Sequence, residues 1–165
     1  MNTTRGIIWI HSAQAALCPH IEWALGATLA TIVRLDWLPQ PAEPGTFRAE
    51  HSWTGPAGAG AALASALRGC VRARFEVTEE ATPSTEGQRW EYTPALGMFA
   101  ATTGIHGDLL VHENRLKAAV AADALGRRPL AEAIADLLGG PWDDELEPFR
   151  YAGEGAPVRW LHQVG

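Results

Sequence analysis

A chain of 165 residues with 47% apolar and 19% charged residues is long enough to bury one core and too apolar to be disordered throughout. Its formal net charge of −6 argues against nucleic acid as the main partner, because phosphate binding wants clustered Lys and Arg. No apolar run approaches the ~20 residues of a bilayer span, and Met1 to Ile10 lacks the form of a signal peptide, so no membrane insertion and a cytoplasmic location are expected.

In chain order, Gly6 to His11 is bulky and β-branched and predicts a first strand. Pro19 at a first helical position, with Glu22 in the opening turn and Ile21, Leu25 and Leu29 at helical spacing, predicts a helix from Pro19 to Thr31. Val33, Leu35 and Trp37 alternate with Arg34 and Asp36, and Phe47, Ala49, His51 and Trp53 alternate with Arg48, Glu50 and Ser52. These runs predict two strands paired across a Pro-rich loop. Ala61 to Leu67 reads as a second helix with Gly69 beyond it, and Val71 to Val77 as a fourth strand. The order β-α-β-β-α-β over residues 1–80 is that of a ferredoxin-like unit, with both helices on one sheet face. The other face would be polar unless the rest of the chain covers it.

Residues 79–87 read as a polar loop, and 88–165 as a C-terminal extension of the same single domain. Strands are expected at Arg89 to Tyr92, Gly97 to Thr103 and Asp108 to His112, forming a β-hairpin layer. Helices are expected at Arg115 to Leu125 and Pro129 to Leu138, closed by glycines as an αα-hairpin. Pro141 to Phe149 is acidic around Trp142, and Val158, Trp160 and His162 alternate as a last strand. The fold class is therefore α+β.

Cys18 and Cys70 read as reduced thiols rather than a disulfide framework. His11 and Ser12, ending the first strand, and Cys18, His20 and Glu22, opening the first helix, gather where helix N–H groups attract anions. Cys18 and His20 are the candidate nucleophile and base, although residues two apart do not face each other on a helix. The Cys-x-His-x-Glu spacing offers zinc-type donors but lacks the four ligands of a structural site, so no metal and no cofactor are expected. His106 and Asp108, flanking Gly107 in a turn, read as a loop-borne acid/base pair or as turn chemistry. His51 reads as a core histidine. Trp142 with Asp143 and Glu145 could dock a basic partner, or Trp142 could pack back onto the core. Seven tryptophans are the most unusual count in the composition, and large aromatics either fill cores or anchor recognition surfaces.

The run Ala16-Leu17-Cys18-Pro19-His20-Ile21-Glu22-Trp23, with His11-Ser12, Leu35-Asp36-Trp37 and Arg74-Phe75-Glu76-Val77-Thr78-Glu79-Glu80, resembles an actinobacterial family of uncharacterised proteins catalogued as domain of unknown function DUF3145. Tyr92-Thr93-Pro94, His106-Gly107-Asp108 and Pro141-Trp142-Asp143 extend the resemblance over essentially the whole chain. It implies a cytosolic protein of high-GC bacteria, some members being encoded near fatty-acid-synthesis genes, and it brings no catalytic residue to carry over. Two readings follow. One is a non-catalytic binding or regulatory module with a protein partner or small anionic ligand. The other is a small enzyme acting on an acyl or other anionic metabolite.

Overall fold

The computed structural model describes residues 2–152. One antiparallel sheet of seven strands carries five helices, in the strand order β2-β3-β1-β4-β5-β6-β7. The elements are β1 (Thr3–Gln14), α1 (Cys18–Leu29), β2 (Leu38–Pro39), β3 (Thr46–Pro56), α2 (Ala59–Arg68), β4 (Arg74–Glu79), β5 (Gly87–Thr93), β6 (Gly97–Thr103), β7 (Leu109–Leu110), α3 (Glu113–Ala124), α4 (Leu130–Leu137) and α5 (Gly140–Tyr151).

The pleat sorts β1 by parity. Ile8 and Ile10, opposite Val77 and Phe75 of β4, face α1 and α2 and form the core with Ile21, Leu25, Leu63 and Leu67, all almost fully buried. Each such side chain contributes about 1.5–3 kcal/mol by leaving water. Trp9 and His11 point to the opposite face, beside Glu76. A bulge after Ile10 shifts the register against both neighbouring strands, so that His11, Ser12 and Ala13 are all buried. The N-terminus of α2 is capped from a distance: the Glu79 carboxylate accepts from Gly58 N and Gly60 N at 2.7 and 2.8 Å. A side chain at position 60 would start 2.6 Å from that carboxylate, which is why glycine stands there.

Several expected elements differ. Residues 33–37 are not a strand, although Val33 and Leu35 are buried as their alternation demands. Their partner is a side chain: Glu22 of α1 accepts from Leu35 N at 2.9 Å and from Trp37 Nε1 at 3.2 Å. The second strand is reduced to Leu38–Pro39, paired with Arg48 and Phe47. The fourth strand begins at Arg74 rather than Val71, which is 64% exposed in the turn before it. Residues 87–103 do not form a second layer. They extend the same sheet, because β5 pairs along the edge that β4 would otherwise leave open. His51 is only half-buried, on the face of β3 that carries Trp53.

The αα-hairpin forms as expected. A Schellman turn closes α3, with Arg127 N on Ala122 O, Gly126 N on Asp123 O, and Gly126 at φ 67°. The acidic segment after it is a full helix, α5. The expected strand at Val158 to His162 lies outside the described residues.

Candidate functional site

The face of the sheet away from α1 and α2 is covered by α5. This helix starts against β6, where Trp142 Nε1 donates to Gly97 O at 3.0 Å and its ring meets Phe99 with centroids 5.2 Å apart. It ends over β1, where Gln40 Nε2 donates both to Phe149 O at 3.2 Å and to His11 O at 2.7 Å. Between these anchors the outward positions of β1, β4 and β5 supply His11, Arg74, Glu76, Arg89, Glu91 and Thr93, and α5 supplies Asp143, Glu145 and Arg150.

These groups form a buried ion network. The Glu76 carboxylate takes His11 Nε2 on Oε2 at 2.5 Å, Arg150 Nε on Oε2 at 2.9 Å, and Arg150 Nη2 on Oε1. Arg89 pairs with Glu91 and reaches Glu76 and Asp143 at 3.5 and 3.3 Å. Arg150 Nη1 meets Asp143 Oδ1 at 2.8 Å, and Nη2 lies 3.3 Å from Glu91 Oε1. Alongside, Arg74 donates to Glu43 at 2.8 Å and Ser12 Oγ at 3.2 Å, and its guanidinium lies 4.5 Å from the centroid of the Phe149 ring. Glu145 accepts from Thr93 Oγ1 at 2.9 Å.

The electrostatics are uneven. Burial alone would raise Glu76, but the hydrogen bond and charge of His11, then of Arg150, overcome it and hold this carboxyl far below the usual carboxylate range. Glu91 goes the other way. Burial, with Glu76 and Asp143 nearby, pushes it up to about 8 against the opposing charges of Arg89 and Arg150. Its Oε2 is buried without a hydrogen-bond partner. Within this knot the guanidiniums of Arg89 and Arg150 and the imidazole of His11 face the three carboxylates of Glu76, Glu91 and Asp143.

The structure therefore brings together four of the residues singled out in the sequence: His11, Ser12, Asp143 and Glu145. It adds Arg74, Glu76, Arg89, Glu91 and Arg150. The alternation Arg74/Glu76 and Arg89/Glu91 carried the signal for the strand members, but an outward charged position reads as solvated until a covering helix is known. Trp142, a half-buried side chain, packs onto Phe99. Glu22 clamps the 33–37 segment, and with Trp37 and Arg34 as further partners its pKa is lowered, chiefly by the Leu35 N–H.

The catalytic candidates are not assembled. The buried Cys18 thiol points at Gln14 O, 3.6 Å away, and burial followed by the charge of Glu22 raises its pKa, disfavouring the thiolate a nucleophile needs. His20 is exposed on α1. His106 and Asp108 are exposed in the β6–β7 turn, whose backbone is closed by Gly107 N on Gly104 O and Gly104 N on Asp108 O. The strand registers put that turn at the opposite end of the sheet from Cys18 and His20. Beside it, an open depression of about 330 Å³ is lined by residues 81–86 with Gly104 and Ile105. Among the described residues no group of three or more His, Cys, Asp or Glu side chains could hold a metal, and no helix is long and apolar enough to cross a membrane.

Comparison with curated proteins and with solved structures gives no match. A family model, described as Protein of unknown function (DUF3145), matches residues 7–163. The match spans β1 through α5, including every member of the buried network, and the chain belongs to this family of proteins of unknown function, DUF3145.

Proposed function

We propose that this protein is a non-catalytic binding or regulatory module of the actinobacterial cytosol, which docks a protein partner through the outer surface of α1. The observation that carries this reading is Trp23, 75% exposed on α1, whereas Trp9, Trp37, Trp53, Trp90 and Trp142 are all at least half-buried. His20 and Ala27, one turn to either side on the same helix face, are exposed with it. An indole held in water on a rigid helix is the kind of anchor that dominates binding energy when a partner buries it. Support also comes from the buried network, whose charged groups are largely matched to one another. We read residues 1–80 as a ferredoxin-like unit, supported by the order β2-β3-β1-β4 with α1 and α2 against one core.

The enzyme reading has less behind it, since Cys18 is held as a thiol and lies at the other end of the sheet from His106 and Asp108. Affinity capture from native cytosol, with mass spectrometry of what is retained, tests the proposal. Trp23→Ala is expected to lose the partner that wild type retains while changing stability by no more than ~0.5 kcal/mol. Capture unchanged by Trp23→Ala overturns the assignment to α1.

A further inference from the structure

We propose that the segment Val158 to Val164 docks, within its own chain, on the part of the second sheet face that α5 leaves open, and covers Ile7 and Trp9 of β1. The pleat turns Ile7, Trp9 and His11 away from α1 and α2. α5 ends over His11, which is buried. Its cover goes no further: Ile7 and Trp9 are only half-buried, and their register partners on β3, Ser52 and Glu50, are exposed. Two large apolar side chains thus stand next to each other on a sheet face that has no helix of its own at this end.

The course of the chain names the occupant. Gln40 Nε2 joins Phe149 O to His11 O, and Arg150 Nε donates to Glu76, the partner of Trp9 on β4. The described chain therefore ends, at Ala152, beside the strip in question. Trp9 lies two residues from His11, about 7 Å along β1. An extended chain carries Val158 as far as ~20 Å from Ala152, so the segment reaches Trp9 with length to spare. The residues between, Gly153-Glu154-Gly155-Ala156-Pro157, hold no large apolar side chain and have the composition of a connection.

The segment itself has the pattern the strip needs. Val158, Trp160, His162 and Val164 recur at every second position, so an extended course presents them on one side, where the Trp160 indole supplies a large flat apolar surface. The family model, which runs from residue 7 to residue 163, takes in both this segment and the strand it would cover. The contact lies on the sheet face opposite α1 and goes beyond the role proposed for that helix.

Nuclear magnetic resonance of the isotope-labelled full chain is the test. Nuclear Overhauser contacts are expected from the Trp160 indole to the Ile7 methyl groups or the Trp9 ring, with Trp160→Phe and Ile7→Val fixing the assignments. No contact between residues 158–164 and either side chain would overturn the proposal. A mixture of labelled and unlabelled chains separates one copy from two: contacts found only between copies would show an exchanged segment and overturn docking within the chain. Trp160→Ala gives a second reading. It should shift the Ile7 methyl and Trp9 indole signals while those of Leu63 and Leu67, in the core on the other face, stay in place and show that the variant folds. Unmoved Ile7 and Trp9 signals in the folded variant count against the proposal.

Discussion

His11 Nε2 lies 2.5 Å from Oε2 of Glu76, and both side chains are almost fully buried where β1 and β4 meet the end of α5. The carboxylate also receives Arg150, so this one contact ties the bulge of β1 to the helix that closes the second face of the sheet. His11→Ala removes a donor from a buried carboxylate and leaves its charge under-compensated. The expected cost is about 3 kcal/mol in urea unfolding. A loss below about 1 kcal/mol would show that Glu76 is adequately held by Arg150 alone.

The pH dependence of stability follows from Glu91. Its carboxyl is raised from an ordinary 4.5 to about 8, so between those values the folded protein holds a proton that the unfolded chain has released. Stability should fall as pH rises through this window and level off above it. Glu76 acts with the opposite sign: its contribution is complete above the ordinary carboxylate range and is lost as pH falls below it. Glu91→Gln cannot titrate and should remove the alkaline decline, a change on the order of 3–4 kcal/mol between pH 5 and 8. A variant that keeps the wild-type slope would place the proton elsewhere.

Glu22 decides the course of residues 33–37. Glu22→Ala withdraws the acceptor for Leu35 N and Trp37 Nε1, and a cost of about 1–2 kcal/mol is expected. Hydrogen exchange provides the local readout. The Leu35 amide should lose protection while amides in β4 stay protected up to the global limit.

Trp142 is a packing residue. Trp142→Ala should destabilise the fold by about 3 kcal/mol, since it removes the contact with Phe99 and the hydrogen bond to Gly97 O together. Thermal and urea melts check this, and a near-neutral result would return Trp142 to the list of surface anchors.

Much of the first half was legible because period-two and helical spacing report burial directly. The alternation at Phe75 and Val77 and the helical spacing of Ile21 and Leu25 mark the core as it stands, whereas Ile7 to Ile10 is apolar throughout and shows a strand without showing which side faces in. The same rule misled at Val33 and Leu35, where burial alternates but the backbone N–H is taken by a carboxylate from α1. Spacing reports which side chains are buried and not where the backbone hydrogen bonds go. The site was half legible. His11, Ser12, Asp143 and Glu145 stood out by residue type. Arg74, Glu76, Arg89, Glu91 and Arg150 become a buried network only through the docking of α5, a contact across |i−j| of 74 for Arg150 and Glu76 that no local pattern encodes.

The most direct test of the binding role is photo-crosslinking in living cells. A benzophenone side chain is introduced at Ala27, one turn from Trp23 on α1, and in parallel at Thr54 of β3, which is exposed on a different surface. The account predicts a discrete protein adduct from position 27, absent from position 54 and abolished when Trp23→Ala is added. No adduct at position 27, or the same adduct from both positions, would contradict it.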